Sequence, residues 1–161
     1  MVNLVPRRNV GARVQTRLAT KMTDAIYINS LPLPPALVNA IRSGIWTTPK
    51  NRNVWRSLFP DDQIVQPMLY PLGQMDGEGM WLGLTGPGYR GKVGEGFVPG
   101  DLDQTRAVLI ADLGPDRLIA LDYRESETHP SVVALTSEQH SNCVRVADDI
   151  ESFMRLLRLT E

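Results

Sequence analysis

Seven carboxylates fall between positions 101 and 127 of this 161-residue chain: Asp101, Asp103, Asp112, Asp116, Asp122, Glu125 and Glu127. Two carboxylates facing each other across a cleft can hydrolyse a glycoside, one as acid and one as nucleophile or base. The local sequence argues for a different use. Asp112 and Asp116 flank the turn signal Gly114-Pro115, and Asp122 ends an apolar run. Short acids serve backbone turns at such places. Tyr123 and Arg124 stand beside them, and both residue types are enriched at the energetic centres of protein interfaces. The candidate site is therefore a partner-binding patch of Asp112, Asp116, Asp122, Tyr123, Arg124 and Glu125. A solvated strand edge with local turn bonds is the competing reading.

Other chemistry finds less support. Gly86-Pro87-Gly88-Tyr89-Arg90-Gly91-Lys92-Val93 fits the glycine loop of a kinase, but the other kinase motifs do not follow. No strong strand precedes these glycines and no helix follows, as dinucleotide binding would need. His129, His140 and Cys143 are the only imidazole and thiol groups. Structural zinc asks for four ligands, and both histidines fall in polar loops, so they read as solvated surface groups. No catalytic residue, metal or cofactor is expected.

Net charge is −1, with 42% hydrophobic and 22% charged residues. The field of the whole chain is weak and favours neither nucleic acid nor an anionic membrane. A lone cysteine makes no internal disulfide, which suits a cytoplasmic protein. No apolar run approaches the roughly 20 residues of a membrane span. Residues 1–21 carry Arg7, Arg8, Arg13, Arg17 and Lys21 before the first acid, Asp24, with Val10, Val14, Leu18 and Met22 four apart. Three readings are open: a disordered or partly helical arm, an extension upstream of a start at Met22, or a basic arm for nucleic acid, membrane or import. Gly11 and the polar run weaken a helix and favour the first two. The division expected is a basic arm over 1–24 and one domain over 25–161.

The elements that must position the patch follow from periodicity. Residues 26–28 suggest an edge strand. Pro35 opens a helix to about Ser43, because proline suits the first helical position. Leu37, Val38, Ile41 and Ile45 supply its buried face, and Gly44 its stop. Trp46, Val54, Trp55, Leu58 and Phe59 offer a second helical face, ended by Pro60-Asp61-Asp62. Ile64 to Leu72 is extended, with Pro67 confining it to an edge. Gly73 to Asp101 is a glycine-rich loop region, with strands expected near Met80–Leu84 and Gly96–Val98. Pro99 to Asp103 is a turn into the last unit.

That unit is a β-meander. Strands are expected at Ala107–Ala111, Leu118–Leu121, Ser131–Leu135 and Cys143–Val146, with polar loops at 125–130 and 136–142. Asp148 is the expected cap of a closing helix, with Glu151 completing a capping box. Val146, Ile150, Phe153, Met154 and Leu157 fall on one face, and Arg155 and Arg158 in the last turn suit the helix dipole. Burying Ile150, Phe153 and Leu157 is worth roughly 1.5–3 kcal/mol each.

An ordered set of residues then resembles the SUKH superfamily, the Smi/Knr-type proteins. It runs from Leu33-Pro34-Pro35-Ala36-Leu37 and Gly44-Ile45-Trp46, through Pro99-Gly100-Asp101-Leu102-Asp103 and Ala111-Asp112-Leu113-Gly114. It continues with Leu118 to Arg124, His129-Pro130-Ser131-Val132-Val133, Val146-Ala147-Asp148 and Phe153. Cys143 and Ile150 stand where aromatic residues are usual, the turn at Gly114–Arg117 is short, and Gly83–Gly96 has no family equivalent. The resemblance implies an α+β fold, a mostly antiparallel twisted sheet with flanking helices, and no catalysis. It implies a protein partner: a cognate toxin bound and neutralised by a bacterial immunity protein, or a cellular protein bound by a regulatory or scaffold module.

Overall fold

A computed structural model of the chain describes residues 24–60, 64–75, 102–114, 117–135 and 143–161. The basic arm, the glycine-rich stretch with its two expected strands, Pro115-Asp116 and the 136–142 loop lie outside these residues. The fold is α+β, as expected: the described residues hold three α-helices, a two-stranded ladder and a five-stranded antiparallel sheet.

The described chain opens with a hairpin, β1 (Tyr27–Ile28) and β2 (Leu31–Pro32), in which Ile28 pairs with Leu31. Asn29 and Ser30 both have positive φ, at 50° and 69°. That is the backbone of a type I′ turn, whose twist matches that of the paired strands. The edge strand expected at 26–28 is thus one half of a hairpin.

Helix α1 (Pro35–Arg42) starts on Pro35 and buries Leu37, Val38 and Ala40. Gly44, at φ +74°, ends it. The Gly44 N–H donates to the Ile41 carbonyl and the Ile45 N–H to that of Ala40, the paired bonds of a Schellman stop. The reversal turns Ile45 outward, 42% exposed, so Ile45 is not on the buried face where its spacing placed it. Helix α2 (Arg52–Leu58) is capped by Asn51, which accepts from the Asn53 N–H, and buries Val54 and Trp55. Trp46 precedes this helix and is buried, with its indole bonded to the Tyr70 carbonyl.

The main sheet has the order β3–β4–β5–β6–β7, with β3 at Met68–Leu69, β4 at Ala107–Asp112, β5 at Leu118–Asp122, β6 at Ser131–Leu135 and β7 at Cys143–Ala147. Every residue of β5 and β6 is buried, which accounts for their unbroken apolar runs. The ladder is interrupted twice. Ile110 is an extra residue between the pairs Leu109–Ala120 and Ala111–Ile119. Val146 is another, between the partners of Val132 and Val133. Such bulges bend a strand and increase its twist. Ile110 still places its carbonyl toward β3, where it accepts from the Tyr70 N–H at 2.8 Å.

The outer edge of β3 is sealed by side chains. Thr48 Oγ1 accepts from the Leu69 N–H at 2.9 Å, and the Trp46 indole donates to the Tyr70 carbonyl at 2.9 Å. An edge closed in this way offers no template for another strand.

Helix α3 (Ile150–Leu156) packs against β6, β7 and α1. Its cap is Asp149, which accepts from the Ser152 N–H at 2.6 Å. The cap expected at Asp148 is displaced by one residue: β7 absorbs Val146 as a bulge and runs to Ala147, Asp148 lies in a bend, and Asp149 is the extended residue before the helix. Asp148 instead lies 3.8 Å from Arg145. Val146, assigned to the helix face by its spacing, belongs to β7, whereas Ile150, Phe153, Met154 and Leu157 are buried as expected. The buried apolar side chains form one cluster from Ile28 to Leu157.

Candidate functional site

The five described residues of the sequence-derived patch do not form one surface. In the β4–β5 register Asp112 pairs with Leu118 and Asp122 with Ala107. The two acids therefore sit at opposite ends of the hairpin, about 13 Å apart along four residues of strand. Asp116 lies outside the described residues.

Asp112 serves the β3 end of the sheet. Its Oδ2 accepts from the buried Tyr70 hydroxyl at 3.0 Å, and its Oδ1 from the Gly114 N–H at 3.0 Å. Burial, with the adjacent carboxylate second, pushes the Tyr70 hydroxyl far above its ordinary range. Gly114 has φ +133°, which favours glycine, and a Cβ there would crowd Val65 Cβ at 3.3 Å.

Asp122 and Arg124 form a corner at the other end. Asp122 is buried and accepts the Arg124 backbone N–H at 3.0 Å and its guanidinium at 2.7–3.0 Å. Tyr123 is fully buried and donates its hydroxyl to the Pro32 carbonyl at 2.7 Å. Tyr123 is therefore corrected from a surface anchor to a core residue. Alternation along an extended chain sends its ring to the face opposite Asp122 and Arg124, which pair with each other. Glu125 is exposed and accepts from Arg145 at 2.7 Å. The described members of the patch are each engaged within the fold: Asp112 with Tyr70, Asp122 with Arg124, Tyr123 with Pro32 and Glu125 with Arg145.

The same corner holds a different feature in place. Residues 125–130 connect β5 to β6 and are fixed from several sides. Glu125 meets Arg145 of β7, and Glu127 lies 3.7 Å from Arg106, whose guanidinium also donates to the Tyr123 carbonyl. The His129 N–H donates to Ser126 Oγ at 3.0 Å, and His129 Nδ1 lies 2.8 Å from Thr128 Oγ1. Thr128 and His129 are thereby held against the starts of α1 and α3.

Two adjoining hollows open there, of about 340 Å³ and about 230 Å³. The larger is walled by Pro32, Leu33, Pro34, Pro35 and Val38, with Asp24 at its margin. The smaller is bounded by Pro130, Asp149, Ile150 and Glu151. Pro34, Pro35, Thr128 and His129 line both, so the two make one groove with a saddle at His129. Hydrogen bonds from the Ser152 backbone and hydroxyl hold the Asp149 carboxyl below its usual range, helped by the charges of Arg155 and His129.

Sequence reasoning placed His129 correctly on an exposed loop but missed the groove. The signal for it was the density of prolines in Leu31–Leu37, together with Pro130. Proline fixes φ and builds a rigid wall, yet it carries no titratable group to draw attention. Among the described residues, no cluster of three or more His, Cys, Asp or Glu side chains comes together. Nor is any helix there long and apolar enough to cross a membrane. No family model, curated protein or solved structure matches the chain.

Proposed function

We propose that this chain is a non-enzymatic, protein-binding domain of the SUKH type, acting in the cytoplasm as an immunity protein that binds and neutralises a cognate toxin. The groove between α1, the 125–130 loop and α3 carries the reading. Its walls are apolar, its shape is set by prolines, and the loop that closes it is fixed by ion pairs and hydrogen bonds. A preformed concave surface of this kind lowers the cost of ordering on association. The α+β layout with a closing C-terminal helix is the one the resemblance implies, and it supports the same reading.

Co-expression with each toxin candidate encoded beside this chain tests the proposal. Protection of the cell, with a stable complex of the two proteins, is the expected result. Absence of both protection and complex with every adjacent toxin would overturn it. A stoichiometric complex with an identified non-toxin protein, without protection, would replace it with the regulatory or scaffold reading.

A further inference from the structure

The chemistry of the groove specifies its occupant. Four of the lining residues are prolines (Pro32, Pro34, Pro35 and Pro130), which contribute no N–H. Two of their carbonyls are already used: Pro32 accepts from Tyr123 and Pro34 from the Val38 N–H. The walls thus offer mainly carbon. Among the described residues, the lining carries the imidazole of His129 at the saddle and otherwise only acidic charged groups. Asp24 stands at one end, and Asp149 and Glu151 at the other. Among the described residues no Lys or Arg lines either hollow, and Arg42 donates to the Asp24 carbonyl at 3.3 Å. An apolar trough with carboxylates at both ends complements an apolar side chain flanked by cations. An acidic or phosphorylated segment would meet repulsion at each end.

Resting on the protein-binding reading above, we infer that the groove receives a short extended segment of a partner protein. An apolar side chain of that segment fills the hollow beside Leu33 and Val38. Lys or Arg on either side meets Asp24 at one end and Asp149 and Glu151 at the other. Its backbone crosses the saddle at Thr128 and His129.

The probe is a fluorescein-labelled peptide, Arg-Arg-Leu-Pro-Leu-Arg-Arg, titrated against the full chain by anisotropy. Two control peptides replace every Arg by Glu, or both Leu by Gly. Saturable binding of the probe that neither control reproduces is expected. Thr128→Arg, which places bulk and positive charge on the saddle, should weaken it about tenfold, as should Asp24→Lys with Glu151→Lys. All three positions are exposed, and an unchanged circular dichroism melt checks that each variant folds. Equal binding of the controls, indifference to both variants, or no saturable binding would overturn the inference.

Two other occupants would also overturn it. One is a peptide of residues 1–21 that displaces the probe more strongly than unlabelled probe does. The other is self-association of the chain that Thr128→Arg abolishes. A toxin complex that survives Thr128→Arg removes the groove as its docking site and leaves the protein-binding reading standing. Saturable, variant-sensitive probe binding without any toxin complex does the reverse.

Discussion

Tyr123 and Arg158 show how single side chains set local geometry. The Tyr123 hydroxyl reaches across 91 positions to the Pro32 carbonyl and fastens the β1–β2 hairpin to the end of β5. Tyr123→Phe keeps the ring and leaves that carbonyl without its donor. Denaturant unfolding should show a loss of about 1–2 kcal/mol. Arg158 follows α3 with φ +56°. Its N–H donates to the Arg155 carbonyl and the Leu159 N–H to that of Met154, the pattern in which glycine is the usual residue. Arg158→Gly should therefore raise stability by about 0.5–1 kcal/mol, read as a higher denaturant midpoint at unchanged slope. The Glu125–Arg145 pair is exposed on both sides, and Arg145→Ala should change stability by less than about 1 kcal/mol.

At the scale of elements, α3 separates two neighbouring acids. Asp149→Ala removes the cap and should cost about 1 kcal/mol, whereas Asp148→Ala should stay within about 0.5 kcal/mol. The pH dependence distinguishes them too. The Asp149 carboxyl is held below its ordinary value of 3.8 by bonds from Ser152. Its stabilisation is complete above that value and is lost as pH falls through the lower folded value. Acid unfolding of Asp149→Ala should accordingly be shallower than that of the parent. Periodicity was enough to place α1, β4, β5, β6 and α3, because each is a continuous apolar run or stripe bounded by proline, glycine or acid. It misplaced the α3 cap and Val146, because a bulge consumes a residue without leaving a mark on hydrophobic spacing. The patch is divided for a related reason. Asp112 and Asp122 are close in sequence, but an antiparallel hairpin sends them to opposite ends, and Tyr123 turns inward between two polar neighbours. The groove was not legible because its walls come from three separated stretches, and only the pairing of β5 with β6 brings the 125–130 loop to the starts of α1 and α3.

For the molecule as described, Tyr70 and Tyr123 are buried with their hydroxyls bonded. Both are pushed well above the ordinary tyrosine value of 10.0 by burial, Tyr70 also by Asp112. A raised folded value means that their stabilisation is full below that ordinary value and declines as pH rises past it. Ultraviolet difference titration should therefore show both phenols ionising only with the loss of tertiary structure. In Tyr123→Phe the alkaline transition should carry one phenol fewer.

The groove also has a consequence for the order in which the molecule is made. Its lining comes from residues 24–38, from 128–130 and from 149–151. A ribosome releases these stretches one after another, and the first must wait for the last. The hairpin finds its anchor only when Tyr123 has emerged, and α1 meets α3 only when the closing helix is out. A nascent chain stopped short of Ile150 would hold most of the meander yet lack one wall of the groove. Any protein captured there is engaged after translation of this unit ends, so a partner made from the same message finds no surface ready while this one is still being synthesised.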